Sequence, residues 1–376
     1  MLSFWERKSF ITYDHIIVGG GIVGLSTAIS LKELEPKARV LVLERGLFPS
    51  GASTKNAGFA CFGSLTELLA DIKRMGEDGA CQLVEERWKG LLRLRNRLGD
   101  EPIDYQNNGG FELLRDKEVN CLDSIEHVNK LLNPLFKKKV FEEQSHLRDT
   151  FGFNKDEIKG VVFNPFEGQI DTGKMMKNLI QFAASLGVEQ LTGADVLDIH
   201  ENTDGVDIVV KNILNLEPLH FSASKVAICT NAFSQRFFED IDLYPGRGQV
   251  LVTRPIKNLK FKGVFHYDEG FYYFRNYENR VIFGGGRNFD HENEISTDFE
   301  LNDKIVRELQ RQLKEIILPK ETYEIDQFWV GIMAFGSSKK PILNKYSDRI
   351  VAGIRLGGMG VAIGSELGHK MAEMLR

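Results

Sequence analysis

The chain has 376 residues, more than one ordinary hydrophobic core organises, so two domains are expected. Its 42% hydrophobic and 27% charged residues match soluble globular proteins, and a net charge of -5 sets nucleic acid aside as a main partner. Cys61, Cys81, Cys121 and Cys229 show no C-x-x-C spacing, which fits neither a zinc site nor a disulfide framework and suits a reducing compartment.

Glu6, Arg7 and Lys8 precede any apolar run, and the first run, Ile16 to Val18, leads straight into glycines. This is a strand and not a signal peptide. No window approaches a membrane span, so a cytoplasmic protein is expected. From Asp14 to Glu44 the order is strand, glycine turn, helix, strand. Ile16-Ile17-Val18 and Val40-Leu41-Val42-Leu43 are continuous apolar runs, as parallel strands covered on both faces require. Ile22, Leu25 and Ile29 recur at helical spacing, and Pro36 stands where the helix should stop.

Residues 75–165 carry charge and helical pattern, and Lys137-Lys138-Lys139 reads as a solvated surface. A helix follows over 174–186 with a stop at Gly187, then short strands over 196–199, 206–210 and 225–228. Residues 246–334 are rich in aromatic and β-branched side chains. Phe271–Arg275 and Arg280–Gly284 predict a hairpin with a four-residue loop, Asn276 to Asn279. Arg349 to Ala352 forms a last strand leading into GIRLGGMG and a final helix, with Ile363, Leu367 and Met371 on one face.

VGGGIVGLSTA contains G-x-G-x-x-G as Gly19, Gly21 and Gly24, directly after a strand and opening a helix. Gly19 permits the tight turn, Gly21 lets the backbone approach a pyrophosphate, and Gly24 allows close helix–sheet packing. The helix start, with Ile22 and Val23, offers free N–H groups to phosphate. Glu44 ends the second strand twenty residues after Gly24, where an acid accepts hydrogen bonds from a ribose; Arg45 follows it. The motif alone does not choose between FAD and a nicotinamide cofactor.

Six further fragments, in order, resemble the D-amino-acid oxidase superfamily, in its glycine oxidase and sarcosine oxidase-like branch. They are ERGLFPSGASTKNAGFACFGS, SKVAICTNAFSQ, LYPGRGQVLVT, FYYFRNYENRVIFGGG, FWVGIMAFGSSKKPIL and RIVAGIRLGGMGVAIGSELG. The resemblance implies an α/β (α+β) fold, a Rossmann-like FAD-binding domain with a second, mixed or antiparallel β-sheet substrate domain. The first would hold residues 1–75, 166–245 and 335–376, and the second 76–165 and 246–334. It also implies that Ser53, Thr54, Asn56, Ala57 and Gly58 line the isoalloxazine and pyrophosphate. Val196 would hold the adenine, Thr230 and Asn231 would lie at the cofactor, and Gly353 with Arg355, Leu356, Gly357, Gly358, Met359 and Gly360 would cover the pyrimidine end.

Members of this branch grip a substrate carboxylate with an arginine two residues past Trp-x-Gly, where this chain has Met333. Arg287 could supply the missing charge, or be a surface residue at a strand end. Tyr273 and Phe271 should share the cavity face of their strand, unless all four neighbouring aromatics are core. His266 and Tyr267 lie just upstream and read as structural, and Lys339 and Lys340 read as exposed. The attachment cysteine of sarcosine oxidase-like members is missing near Gly331, so FAD is expected to be non-covalent; Cys61 reads as a buried filler. The implied activity is oxidation of an amine or amino acid at its C–N bond by hydride transfer to flavin N5. Oxygen or another acceptor would then reoxidise the flavin. The alternatives are a 2-hydroxy-acid dehydrogenase of the L-2-hydroxyglutarate type, a non-catalytic flavin-binding subunit, and the flavin half of a tRNA-modifying enzyme.

Overall fold

The structure, a computed structural model, describes residues 2–212 and 217–376. The strand–turn–helix–strand unit forms as its residues require. Thr12–Val18 lies parallel to Val40–Glu44 on one side and to Leu219–Ile228 on the other. Glu189–Thr192 extends one edge, Ile350–Ile354 and Ile342–Lys345 the other, and Val196–Glu201 with Val206–Val210 folds back onto Leu219–Ile228. Helix Ile22–Leu34 is buried along nearly its whole length, against the sheet, the final helix Gly360–Leu375 and helix Thr172–Ser185. A helix so enclosed must be apolar all round, which is why its periodicity is weak.

Contact this close depends on missing side chains. A Cβ at Gly24 would stand 1.9 Å from the Gly19 carbonyl oxygen, and one at Gly368 2.7 Å from Ser26 Cβ. The long helical segment Leu65–Leu98 crosses the final helix at Gly90, whose Cβ would stand 2.2 Å from the Ala362 oxygen. This segment is kinked at Gly76, with φ 78° and ψ 167°, a conformation glycine adopts freely. Ser64 starts it with a capping box closed by Glu67.

The second sheet has eight strands in the order Ile325–Phe335, Tyr244–Thr253, Arg280–Gly285, Tyr272–Tyr277, Val264–Tyr267, Gly110–Leu114, Gly160–Asn164 and Glu142–Glu143. All its pairs are antiparallel except Val264–Tyr267 with Gly110–Leu114. One face packs on helix Asp303–Gln312 and the turn after it, and is filled by aromatics; Phe265 stacks on Phe274 at 4.7 Å and Tyr267 on Tyr272 at 4.9 Å. The hairpin differs from expectation in one respect. Pairing continues to Tyr277 with Arg280, so the loop is the two residues Glu278 and Asn279, and Glu278 takes the positive φ (50°) that a tight turn needs. No helix of the described residues is long and apolar enough to cross a membrane.

The crossing at Gly90 yields a first test. Gly90→Val should destabilise the protein by about 2 kcal/mol or more, because a backbone carbonyl cannot rotate away from the added atoms. Chemical denaturation reads this, and an unchanged midpoint would show that the two helices are free to separate.

Candidate active site

A cleft of about 550 Å³ opens where the parallel strands end and is closed on its far side by the second sheet. Ligands of open parallel sheets bind at those strand ends, because the glycine turn leaves helix N–H groups uncovered there. Gly19, Gly21, Ile22 and Val23 all line the cleft. Gly19 has φ 108°, and a Cβ there would meet the Cys229 oxygen at 2.9 Å. Glu44 lines it too; its carboxylate accepts from Gly20 N–H at 2.9 Å and Gly46 N–H at 2.8 Å, which holds it beside the turn. Arg45 lies over the Phe233 ring at 4.3 Å.

Ser53, Asn56 and Ala57 line the next stretch, and the Ser53 hydroxyl accepts from Ile22 N–H at 3.0 Å. Val196, Thr230 and Asn231 complete one end; Leu356, Gly357, Gly358, Met359 and Gly360 complete another. Five expected residues stay off the lining. Gly24 and Gly353 instead serve packing, the latter with Met371 Sδ 2.1 Å from where its Cβ would be. The Thr54 hydroxyl donates to the Pro49 oxygen at 2.7 Å, and Gly58 turns the chain with φ 78° under the Ile170 carbonyl. Arg355 turns away from the cleft: its guanidinium donates to Asp242 Oδ2 at 2.6 Å, to the Asp242 oxygen at 2.7 Å and to the Lys340 oxygen at 2.9 Å.

At the second sheet, Tyr273 and Phe271 line the cleft while Tyr272 and Phe274 lie in the core, so the hairpin is two-faced as alternation requires. Burial pushes the Tyr273 phenol up to about 12, with Arg287 acting in the opposite sense, so near neutrality Tyr273 is a hydrogen-bond donor. Arg287 lines the cleft, lies 4.0 Å over the Phe335 ring, and keeps Nη1 buried without an acceptor. Met333 lines it as well, paired across the strands with Gly246. A Cβ at Gly246 would lie 3.6 Å from Arg287 Cδ, so arginine and methionine flank one glycine. Lys339 also lines the cleft and pairs with the buried Asp71 at 2.8 Å, whereas Lys340 is exposed.

Distance along the chain hid one cluster. Cys61, Glu167 and His266 are buried with their ligand-type atoms within 4.8 Å of one another, and Cys61 and His266 also line the cleft. His266 Nε2 lies 3.4 Å from Glu167 Oε2, and this pair, with the Cys61 thiol, holds the imidazole above its ordinary value although burial opposes it. His266 touches the Phe59 ring edge at 5.1 Å, and Phe59 touches Tyr273 at 5.6 Å. Arg87 is a second residue the motifs missed. It stands in the apolar stripe Leu83, Val84, Leu91 and Leu94, and an arginine at such a position is itself a signal of a buried charge.

Comparison with known proteins agrees with this architecture. The model of the FAD-dependent oxidoreductase (DAO) family matches residues 14–374. The chain belongs to this family. It is therefore an FAD-dependent oxidoreductase, and the cleft fits that cofactor: the backbone of the glycine turn lines it from Gly19 to Val23, and Glu44 stands at the strand end beside that turn. Glycine oxidase of Geobacillus kaustophilus is 25% identical over 90% of this chain and 85% of its own length. Gamma-glutamylputrescine oxidoreductase of Escherichia coli is 24% identical, covering 97% and 84%. The crystal structure of L-proline dehydrogenase from P. horikoshii superposes with a TM-score of 0.76 at 18% identity, covering 96% of this chain and 93% of that one.

Behind His266, its strand neighbour Glu112 is buried and hydrogen-bonded by Thr66, and burial pushes its carboxyl up from 4.5 to about 7. The folded oxidoreductase then holds a proton that the unfolded chain releases between those two values, so stability falls as pH rises through that window and levels off above it. The loss is on the order of 3 kcal/mol. Glu112→Gln should flatten this part of the stability-against-pH curve relative to wild type; parallel curves for the two proteins would contradict the assignment.

Proposed function

We propose that the protein oxidises the C–N bond of a small amine or amino acid that carries an anionic group, held in the cleft between FAD and the second sheet. The observation that carries this is Arg287: a half-buried cation on the cleft wall, with Nη1 lacking any acceptor, beside the glycine that also flanks Met333. A buried donor without a partner costs about 1–3 kcal/mol, which a bound carboxylate would recover. The names of the glycine oxidase and gamma-glutamylputrescine oxidoreductase relatives support an amine or amino-acid substrate.

Gly19 to Val23 and Glu44 would hold the nucleotide half of FAD, Ser53 to Ala57 and Leu356 to Gly360 its ring system. Bound there, FAD supplies a two-electron acceptor for the substrate C–H bond. Arg287 orients the substrate through its anionic group, and Tyr273 donates a hydrogen bond to it. Phe271, Phe59 and Met333 exclude water from the reacting face. The carbonyl product forms when the imine leaves and hydrolyses. No side chain need take a proton if the substrate binds as the free amine.

We also propose that residues 1–75, 166–245 and 335–376 form the FAD-binding part and 76–165 and 246–334 the substrate part. In support, every strand of the first sheet falls in the former set, and strands of the second fall in the latter apart from one or two end residues. Four unpaired cysteines support a reducing, cytoplasmic setting. Oxygen or another small acceptor completes turnover.

The test is anaerobic mixing of the holoenzyme with amines, amino acids and 2-hydroxy acids, following loss of the flavin band near 450 nm (roughly, a cofactor property). Amines or amino acids should bleach it; bleaching by 2-hydroxy acids alone would replace this reading with the C–O one. Arg287→Ala should raise KM for a carboxylate substrate about tenfold or more, while an amine without a negative group changes little. Equal effects on both would remove Arg287 from substrate binding.

A further inference from the structure

Arg87 is 4% exposed and lies in the cleft wall, yet among the described residues no ion pair is formed with it. Its Nη1 donates to the Phe62 oxygen at 2.9 Å, while Nε is buried with no acceptor. Glu67 lies on the same side of the fold: a Cβ at Gly63 would stand 3.2 Å from Arg87 Nη1 and 4.0 Å from Glu67 Oε2. Glu67, however, is committed to the capping box with Ser64. Removing an arginine from water with a single carbonyl for a partner is strongly unfavourable unless a negative group joins it.

The placement of Arg87 says where that group would be. One helical turn further on, Gly90 packs against Ala362 at the start of the 16-residue final helix. That helix has no side-chain cap at its N-terminus and no acidic residue in its first turn, and Gly360, Val361 and Ala362 all line the cleft. An uncapped helix start and an unpaired arginine, brought together by one glycine contact, make an anion-stabilising end to the cleft.

We propose that Arg87 is the fixed positive charge that offsets the negative charge gained by the bound flavin ring on reduction, acting together with the start of the final helix. This rests on the cleft being the FAD site. Arg87 then tunes the potential of the flavin and is not needed to retain it, since the nucleotide half is held elsewhere, at Gly19 to Val23 and Glu44.

The experiment uses the purified holoenzyme, with sulfite as probe, because sulfite adds to the oxidised ring and leaves a negative charge on it. Arg87→Gln should keep FAD bound, weaken sulfite binding on the order of ten- to a hundredfold, and lower the two-electron midpoint potential by about 30 mV per tenfold. Arg87→Lys, which keeps the charge but not the fork that reaches Phe62, should stay within about threefold of wild type by the same measures. Unchanged sulfite affinity and potential in Arg87→Gln would overturn the proposal. So would an Arg87→Lys protein that falls as far as the glutamine variant, since Arg87 would then be only a structural tie to Phe62. Should Arg87→Gln lose FAD, the lysine variant decides alone, and should wild type not bind sulfite, the potential decides. A wild-type protein devoid of flavin absorbance would instead count against the cleft as the FAD site.

Discussion

Everything in the site hangs on one steric constraint: helix Ile22–Leu34 must lie against the strand that precedes it with no side chain between them. Gly24 meets that condition, since its absent Cβ leaves room for the Gly19 carbonyl oxygen. With the helix so close, its start opens directly at the strand ends, and the residues from Gly19 to Val23 line the cleft. The same device recurs where the final helix lies over Ser26 and Thr27 through Gly368, and where Leu65–Leu98 meets Ala362 through Gly90. Three helices, the buried one included, are thereby locked together, and the starts of two of them, Ile22–Leu34 and Gly360–Leu375, contribute to a single cleft. Packing at glycines is thus what makes the polar ends converge.

The second sheet solves a different problem. A sheet that carries a substrate must be apolar on its hidden face and spare on its open face, so that a flat ligand can approach. Alternation along Tyr272–Tyr277 sends Tyr272 and Phe274 into an aromatic core and leaves Tyr273 facing the cleft. Beside it, Gly284, Gly248 and Gly331 occupy neighbouring strands, so the floor there carries almost no side chains other than Tyr273 and Met333. Such a surface can bury a ring system while the few projecting groups fix orientation.

How much of this was legible depends on the range of the interaction. The glycine turn, both flanking strands and Glu44 were readable because their spacing is local and dictated by backbone geometry. The two-faced character of Phe271 to Phe274 followed from strand periodicity alone. The hairpin is legible from its two strands, but the expected four-residue loop is two residues long: Asn276 and Tyr277 extend the ladder and leave only Glu278 and Asn279 in the turn. The Cys61, Glu167 and His266 cluster joins segments about a hundred or more residues apart, and no local pattern marks it. Arg355 was misplaced for a related reason: it stands in a cofactor-facing stretch, but Asp242 lies close enough to draw its guanidinium away.

The charges that remain unpaired are the most informative feature of the cleft. Most cations around it are already engaged: Arg45 over Phe233, Lys339 with Asp71, Arg236 with Asp195. Arg287 and Arg87 each keep one nitrogen buried without an acceptor, and they stand apart, one in the turn after the Tyr272–Gly285 hairpin and one beside the final helix. A protein that satisfied itself fully would not leave two such donors around one cleft, because each costs free energy without an acceptor. Two unsatisfied cations in separate places imply two separate anionic requirements. On the two proposals above, Arg287 would meet a charge that the substrate carries, whereas the charge near Arg87 would only develop during the reaction. Gly246, the cross-strand partner of Met333, leaves room for the Arg287 side chain, so the wall keeps a cation beside the place that methionine occupies.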